Sequence, residues 1–106
     1  NIQEMEKVKI LRYENGGKYK WHTDCGAKET STRKLTAIVQ LSDETKYEGG
    51  NLEFGITDKS GKNNYTAPRT RGSITIFPAF LSHRVTPVMK GQRYSLITWM
   101  LGDCFV

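Results

Sequence analysis

Lys18-Tyr19-Lys20-Trp21-His22-Thr23-Asp24 reads as a short β-strand that ends in an imidazole and a carboxylate. On an extended strand, residues i and i+2 share a face, so His22 and Asp24 are expected to converge while Thr23 turns away. One neutral imidazole and one carboxylate, joined by a second imidazole, form a 2-His-1-carboxylate facial triad. Such a triad covers one face of an octahedral iron and leaves the opposite positions open. A lone His-x-Asp is ordinarily polar decoration, so the reading depends on a third ligand. His83 is the only other histidine in the chain. It follows Phe77-Pro78-Ala79-Phe80-Leu81-Ser82, a strand end and loop, and a sheet folded on itself would bring it to the first two.

The texture on either side supports such a fold. Short runs rich in Val, Ile, Thr, Tyr and Phe alternate with Gly, Asn, Asp and Pro, which is an all-β pattern. Strands are predicted at Lys7–Tyr13, Lys18–Asp24, Arg33–Leu41, Asn51–Ile56, Asn64–Ala67, Ser73–Phe77, Ser82–Pro87 and Arg93–Leu101. Turn signals separate them at Asn15-Gly16-Gly17, Glu48-Gly49-Gly50, Asp58 to Asn63 and Lys90-Gly91. No segment has a convincing helical period, although Asn1–Lys7 is expected to be a short remnant of a preceding helix. About eight short strands fit a sandwich, a barrel or a jelly roll, and strand count alone does not choose among them.

Beyond the ligands, Arg93-Tyr94-Ser95 begins a strand that is otherwise apolar. Arg93 and Ser95 share a face, so a guanidinium and a hydroxyl can grip one carboxylate, and the planar Arg fork suits that task better than Lys. A lone arginine usually ends in an exposed ion pair, which explains its place in this strand less well. Trp99 lies on the same face and reads equally as a pocket wall or a core residue. Upstream, Tyr13-x-x-Gly16-x-x-Tyr19 precedes the ligands. Both tyrosines can offer phenolic hydrogen bonds to a small acid, while for Tyr19 core packing is the better reading.

Bulk properties set wider bounds. The 106 residues are expected to form one domain, residues 1–106, with a single core. The net charge of +5 is spread along the chain; without a basic run it reads as a solvated surface, so nucleic acid is not an expected partner. No apolar run is long enough to span a bilayer and no signal peptide opens the chain, so no membrane association is expected. The cysteines, Cys25 and Cys104, are too few for a disulfide framework and lack zinc-site spacing, which points to a reducing, cytoplasmic setting. Cys25 beside the ligands reads as a plain buried or half-buried thiol. The chain opens on Asn1 rather than Met, so preceding elements are expected to lie outside it.

These motifs recur in order. Tyr13…Gly16…Tyr19…His22-x-Asp24, then Tyr47-Glu48-Gly49-Gly50, then Gly72 to Pro78, His83-Arg84-Val85-x-Pro87-Val88 and Gly91-x-Arg93-Tyr94-Ser95-Leu96…Trp99 resemble the prolyl 4-hydroxylase-like branch of the 2-oxoglutarate/Fe(II) oxygenases. The resemblance runs from about Tyr13 to Gly102, and is nearest to bacterial and phage hydroxylases that use Arg for the cosubstrate. It implies a double-stranded β-helix, or jelly roll, with Fe(II) on His22, Asp24 and His83. It also implies that Arg93 pairs with the distal carboxylate of 2-oxoglutarate, with Ser95 and Tyr13 adding hydrogen bonds and Trp99 close by. Thr36 or Ile38 is expected to line the same pocket. Asn51 departs from the Glu that relatives usually place after the double Gly. The N-terminal helices that buttress the sheet in many relatives are absent, which questions the stability of an isolated core and the completeness of its substrate cleft.

The implied reaction couples O₂ and decarboxylation of 2-oxoglutarate, to succinate and CO₂, with hydroxylation of a C–H bond; ascorbate is the expected reductant. Retention of Asp24 argues for hydroxylation, because the halogenating relatives lack this carboxylate. Two other functions are weighed. An oxidative dealkylase of nucleic acid would use the same triad, but such enzymes carry a second Arg shortly after the cosubstrate Arg, and Leu96–Leu101 has none. A non-catalytic cupin-like module would bind a metal or small acid without turnover. The primary substrate, a peptide or a small molecule, is set by loops, here Cys25–Thr32, Ser42–Gly50 and Asp58–Asn64, and neither it nor the oligomeric state is legible.

Overall fold

The computed structural model describes residues 2–26, 32–56 and 64–102. In chain order the strands are β1 (Ile2–Met5), β2 (Lys9–Glu14), β3 (Tyr19–His22), β4 (Arg33–Gln40), β5 (Glu48–Gly49), β6 (Leu52–Phe54), β7 (Tyr65–Thr66), β8 (Ile74–Pro78), β9 (His83–Val85), β10 (Val88–Lys90) and β11 (Gln92–Gly102), with a 3-10 turn at Glu44–Lys46. β11 is the spine of the larger sheet. β4 pairs along one of its edges and β8 follows β4; β2 and then β1 pair along the other edge. The smaller sheet has the order β3-β9-β6-β7, and β5 with β10 forms a two-stranded ribbon. All the pairs are antiparallel.

Alternation along β11 builds the interior. Arg93, Ser95, Ile97 and Trp99 are all buried, as period-2 side-chain placement requires of one strand face. Register sets their neighbours on that face: Gln40, Ile38 and Thr36 of β4 lie opposite Ser95, Ile97 and Trp99. Tyr13 and Leu11 of β2 lie opposite Arg93 and Ser95. The smaller sheet answers with Leu52, Phe54 and Val85, and the two sets meet in one apolar cluster. There Phe54 meets Phe77 edge-on at 4.8 Å between ring centroids. Two facing antiparallel sheets around one core make the expected jelly roll.

Several boundaries differ from the sequence expectation. The helix remnant expected over Asn1–Lys7 is not found among the described residues: Ile2–Met5 is a strand paired with Met100 to Gly102. Glu, Met and Lys favour helix in isolation, but the far end of the eleven-residue β11 offers an unpaired edge, and tertiary pairing overrides propensity. Glu48-Gly49, read as a turn, is strand β5; the strand expected over Ser82–Pro87 shortens to β9, and β10 forms beyond it, where no strand is predicted. The described residues hold eleven strands rather than about eight. The turn expected at 58–63, the middle of the 25–32 loop and Cys104 lie outside the described residues. No helix among the described residues is long and apolar enough to cross a membrane.

Candidate functional site

β3 and β9 pair antiparallel, and His22 stands opposite His83 in their register. The imidazole centroids are 4.2 Å apart. Asp24 reaches them differently from the alternation argument, since β3 ends at His22 and Asp24 sits in a bend beyond it. That bend is fixed when the amides of Asp24 and Cys25 both donate to the Ala79 carbonyl, at 2.8 and 3.0 Å. Oδ1 of Asp24 then lies 3.3 Å from His22 Nε2 and 3.4 Å from His83 Nε2. Ligand atoms of the three residues all lie within 4.8 Å of one another. Thr23 is exposed at the rim of the cavity, and its hydroxyl donates to the Cys25 carbonyl at 3.2 Å.

The surroundings decide which atoms are presented. A carbonyl can only accept, so the contacts of His22 Nδ1 with the Lys20 carbonyl (2.6 Å) and of His83 Nδ1 with the Leu81 carbonyl (2.8 Å) place a proton on each Nδ1. Both Nε2 atoms are thereby turned toward Asp24 as potential ligands. On the carboxylate, Oδ2 is occupied: the Thr36 hydroxyl donates to it at 2.6 Å and the Trp99 indole N–H at 3.1 Å. Oδ1 is left for a cation. Burial alone would raise the Asp24 pKa, but hydrogen bonds from His22, His83, Thr36 and Trp99 hold it far below the usual carboxylate range. At His22 burial works against a charge, yet the bond to Asp24 and the Lys20 carbonyl outweigh it and raise the imidazole above its ordinary value. Two imidazole nitrogens and one carboxylate oxygen converging from one side suit a divalent iron-type ion with an open face.

A cavity of about 380 Å³ joins this cluster to Arg93. Its walls include Tyr13, Tyr19, Ile38, Ser95 and Trp99. Arg93 is only 1% exposed, and its Nε and Nη2 have no hydrogen-bond partner. Nη1 lies 3.4 Å from the Ser95 hydroxyl, and the guanidinium carbon lies 5.3 Å from the Tyr13 ring centroid. Burial disfavours its charge, while the neighbouring Tyr47 and Tyr13 hydroxyls offset that cost. A guanidinium does not deprotonate in proteins, so the cavity floor is cationic and short of an anion.

The residues singled out from sequence separate into distinct places. Trp99 belongs both to the core cluster and to the Asp24 support. Thr36 and Ile38 divide the expected role: Ile38 lines the cavity, and Thr36 binds Asp24 instead. Tyr19 is not a core residue; it is 49% exposed and stacks on His22 at 3.8 Å. Cys25 lines the cavity in a half-buried position. Arg33 escaped the sequence reading. It pairs with Glu6 through two nitrogens, at 2.7 and 3.2 Å, and its guanidinium carbon lies 3.8 Å from the Trp99 ring centroid. Its signal was its place on β4, three residues before Thr36 and beside the strand that carries Trp99.

Comparison with known proteins follows the same lines. Residues 8–101 match the family profile of the 2OG-Fe(II) oxygenase superfamily. A PKHD-type hydroxylase of Synechococcus sp. strain CC9605 is 30% identical over 93% of this chain and 43% of its own length. Another from Idiomarina loihiensis is 32% identical over 92% of this chain and 43% of its own length. The chain thus spans well under half the length of the curated relatives it matches. Among solved structures, a Pseudomonas putida prolyl-4-hydroxylase shares the fold with a TM-score of 0.79 at 22% identity, covering 94% of this chain and 54% of that one. A Phytophthora capsici prolyl 4-hydroxylase structure gives 0.71 at 25% identity, over 90% of this chain and 32% of the other.

Proposed function

Because the chain belongs to the 2OG-Fe(II) oxygenase superfamily, we propose that it is the core of an Fe(II)- and 2-oxoglutarate-dependent hydroxylase of the prolyl 4-hydroxylase-like branch. In this reading His22, Asp24 and His83 hold Fe(II), and Arg93 receives the distal carboxylate of 2-oxoglutarate, with Ser95 and Tyr13 beside it. The bound metal and cosubstrate supply O₂ activation coupled to release of succinate and CO₂. The chain's own contribution is orientation. Thr36 and Trp99 fix the Asp24 carboxylate, the Lys20 and Leu81 carbonyls fix both imidazoles, and Ile38 and Ile97 give the cavity apolar walls.

The observation that carries this reading is the buried, anion-deficient Arg93 in the same cavity as the three-ligand cluster. A cupin-like binding module would explain the cluster but not the paired demand for a metal and a carboxylate. The primary substrate is a peptide side chain or a small molecule reached from the open mouth beside Tyr19, with ascorbate as reductant and a reducing intracellular setting. The test is release of succinate from 2-oxoglutarate with Fe(II) and ascorbate under air, followed by mass spectrometry of candidate peptides and metabolites for a gain of one oxygen. His22→Ala or Asp24→Ala is expected to abolish succinate release, and undiminished turnover by either variant overturns the assignment.

A further inference from the structure

Tyr47 is neither a member of the metal cluster nor among the residues that line the cavity. It is 4% exposed, and its buried hydroxyl lies against the Arg93 guanidinium, from which the oxygen can accept while its own proton has no acceptor. A buried hydroxyl proton without an acceptor is destabilising, and such a group calls for a water, an ion or a ligand to complete it. Its position bears this out. At Gly50, where φ is +62°, a Cβ would stand 3.0 Å from Arg93 Cδ and 3.4 Å from Tyr47 Cε2. Glycine at this point therefore lets the phenol ring and the arginine stem lie side by side. The Tyr47 hydroxyl is also the neighbour that most favours the Arg93 charge against its burial.

The ring is held there by other groups. Arg69 donates to the carbonyls of Tyr47 and Gly49 and to the Asn51 side chain, and its guanidinium carbon lies 4.2 Å from the Tyr47 ring centroid. The segment from Tyr47 to Asn51 is thus fixed by one side chain that makes no contact with the metal cluster.

Donor arithmetic identifies what is missing. A carboxylate has two oxygens and roughly four acceptor positions. Arg93 brings two unpartnered nitrogens, Nε and Nη2, whose adjacent N–H groups make one two-pronged fork. Ser95 Oγ accepts from Arg93 Nη1, leaving its own proton to donate. The Tyr47 hydroxyl makes a fourth donor. We propose that Tyr47 is a further cosubstrate-binding residue, its hydroxyl donating to the same carboxylate that pairs with Arg93. This rests on the reading that Arg93 receives the distal carboxylate of 2-oxoglutarate.

The test compares two ligands and two proteins. Binding of 2-oxoglutarate and of 2-oxopentanoate, which has the same keto acid end but no distal carboxylate, is measured anaerobically by calorimetry on Fe(II)-loaded protein and on Tyr47→Phe. The variant is expected to bind 2-oxoglutarate about tenfold more weakly, as for loss of a hydrogen bond to a charged group, and 2-oxopentanoate within a factor of two. Equal weakening of both ligands makes Tyr47 merely structural, and no weakening removes it from the site; either result overturns the inference. Should Tyr47→Phe fail to fold, wild-type protein labelled at tyrosine Cζ is titrated with glutarate, the signals of the other tyrosines being assigned from their single Phe variants. A shift of the Tyr47 resonance is expected there, and its absence overturns the inference as well. If wild-type protein binds no 2-oxoglutarate at all, the functional reading falls first and this inference with it.

Discussion

The indole N–H of Trp99 donates to Oδ2 of Asp24 at 3.1 Å, joining two residues 75 positions apart in the chain. The Thr36 hydroxyl donates to the same oxygen at 2.6 Å, and Thr36 stands opposite Trp99 in the β4–β11 register. One carboxylate oxygen is therefore clamped from two adjacent strands of the larger sheet, while the other faces imidazoles that come from the smaller one. The pairing of β4 with β11 thus decides how the carboxylate is aimed.

That clamp predicts a metal-affinity phenotype for residues that touch no metal. Trp99→Phe keeps a ring in the core and loses the donor; Thr36→Val keeps the shape and loses the hydroxyl. Each is expected to weaken Fe(II) binding by about tenfold, at the low end of what outer-shell partners of metal ligands contribute. Anaerobic Fe(II) titration measures it. Wild-type affinity in both variants would mean that Asp24 is aimed by something else.

Arg93 separates stability from binding. Its guanidinium is buried with two nitrogens unpartnered, and an uncompensated buried charge is destabilising. Arg93→Met, of similar length, is expected to raise the melting temperature of ligand-free protein, by a stability gain of about 1–4 kcal/mol. It should at the same time abolish the further rise that 2-oxoglutarate gives with Fe(II) present. Arg93→Lys keeps the charge but not the fork, and should retain only part of that ligand-induced rise. Thermal melts with and without 2-oxoglutarate decide it; a lower melting point for ligand-free Arg93→Met would contradict the argument.

The sequence revealed these residues unevenly, for physical reasons. Arg93, Ser95 and Trp99 could be placed on one face because strand alternation is local, and the structure keeps that face inward. His83 could be matched to His22 because no other histidine competes, although their pairing is a register that no local rule supplies. Asp24 reaches the imidazoles by a route that strand alternation does not supply, since its position depends on the Ala79 carbonyl, more than fifty residues away. Tyr47 was hidden because Glu48-Gly49-Gly50 reads as a turn. Only the Gly49–Val88 pairing and the approach of Arg93 to Gly50 show that the segment is packed against the cavity floor. β1 was misread because its residues favour helix while its partner strand was unknown.

Tyr13 gives a prediction on the alkaline side. Burial raises its pKa above the ordinary value near 10, and the Arg93 charge offsets this only in part. The folded state therefore favours the neutral phenol. Its contribution to stability is complete below the unfolded value and is lost as pH rises from there through the folded value. Tyrosinate absorbance of the folded protein is expected to show a late-titrating group among the five tyrosines. Tyr13→Phe should remove that group and make the fall in melting temperature above pH ~10 shallower. An unchanged titration curve for the variant would assign the late group elsewhere.

The last prediction concerns the face of the larger sheet turned away from Arg93. Ile10, Leu96, Val39 and Ile74 stand in one register row across β2, β11, β4 and β8. Met5, Met100, Leu35 and Pro78 form a second row. Ile10, Ile74 and Ile76 are 67, 63 and 58% exposed. Contiguous apolar surface of this kind drives association, and β8, which among the described residues pairs only with β4, adds an open strand edge. The chain is therefore expected to self-associate with rising concentration. Ile76→Lys places a charge on that outward face of the edge strand and should shift sedimentation toward the monomer. Its effect on stability should stay within about 0.5 kcal/mol, since the position is exposed, and Fe(II) affinity should not move, because the substitution lies across the sheet from the cavity. A wild-type chain that sediments as a monomer at every accessible concentration would show that this face does not drive association.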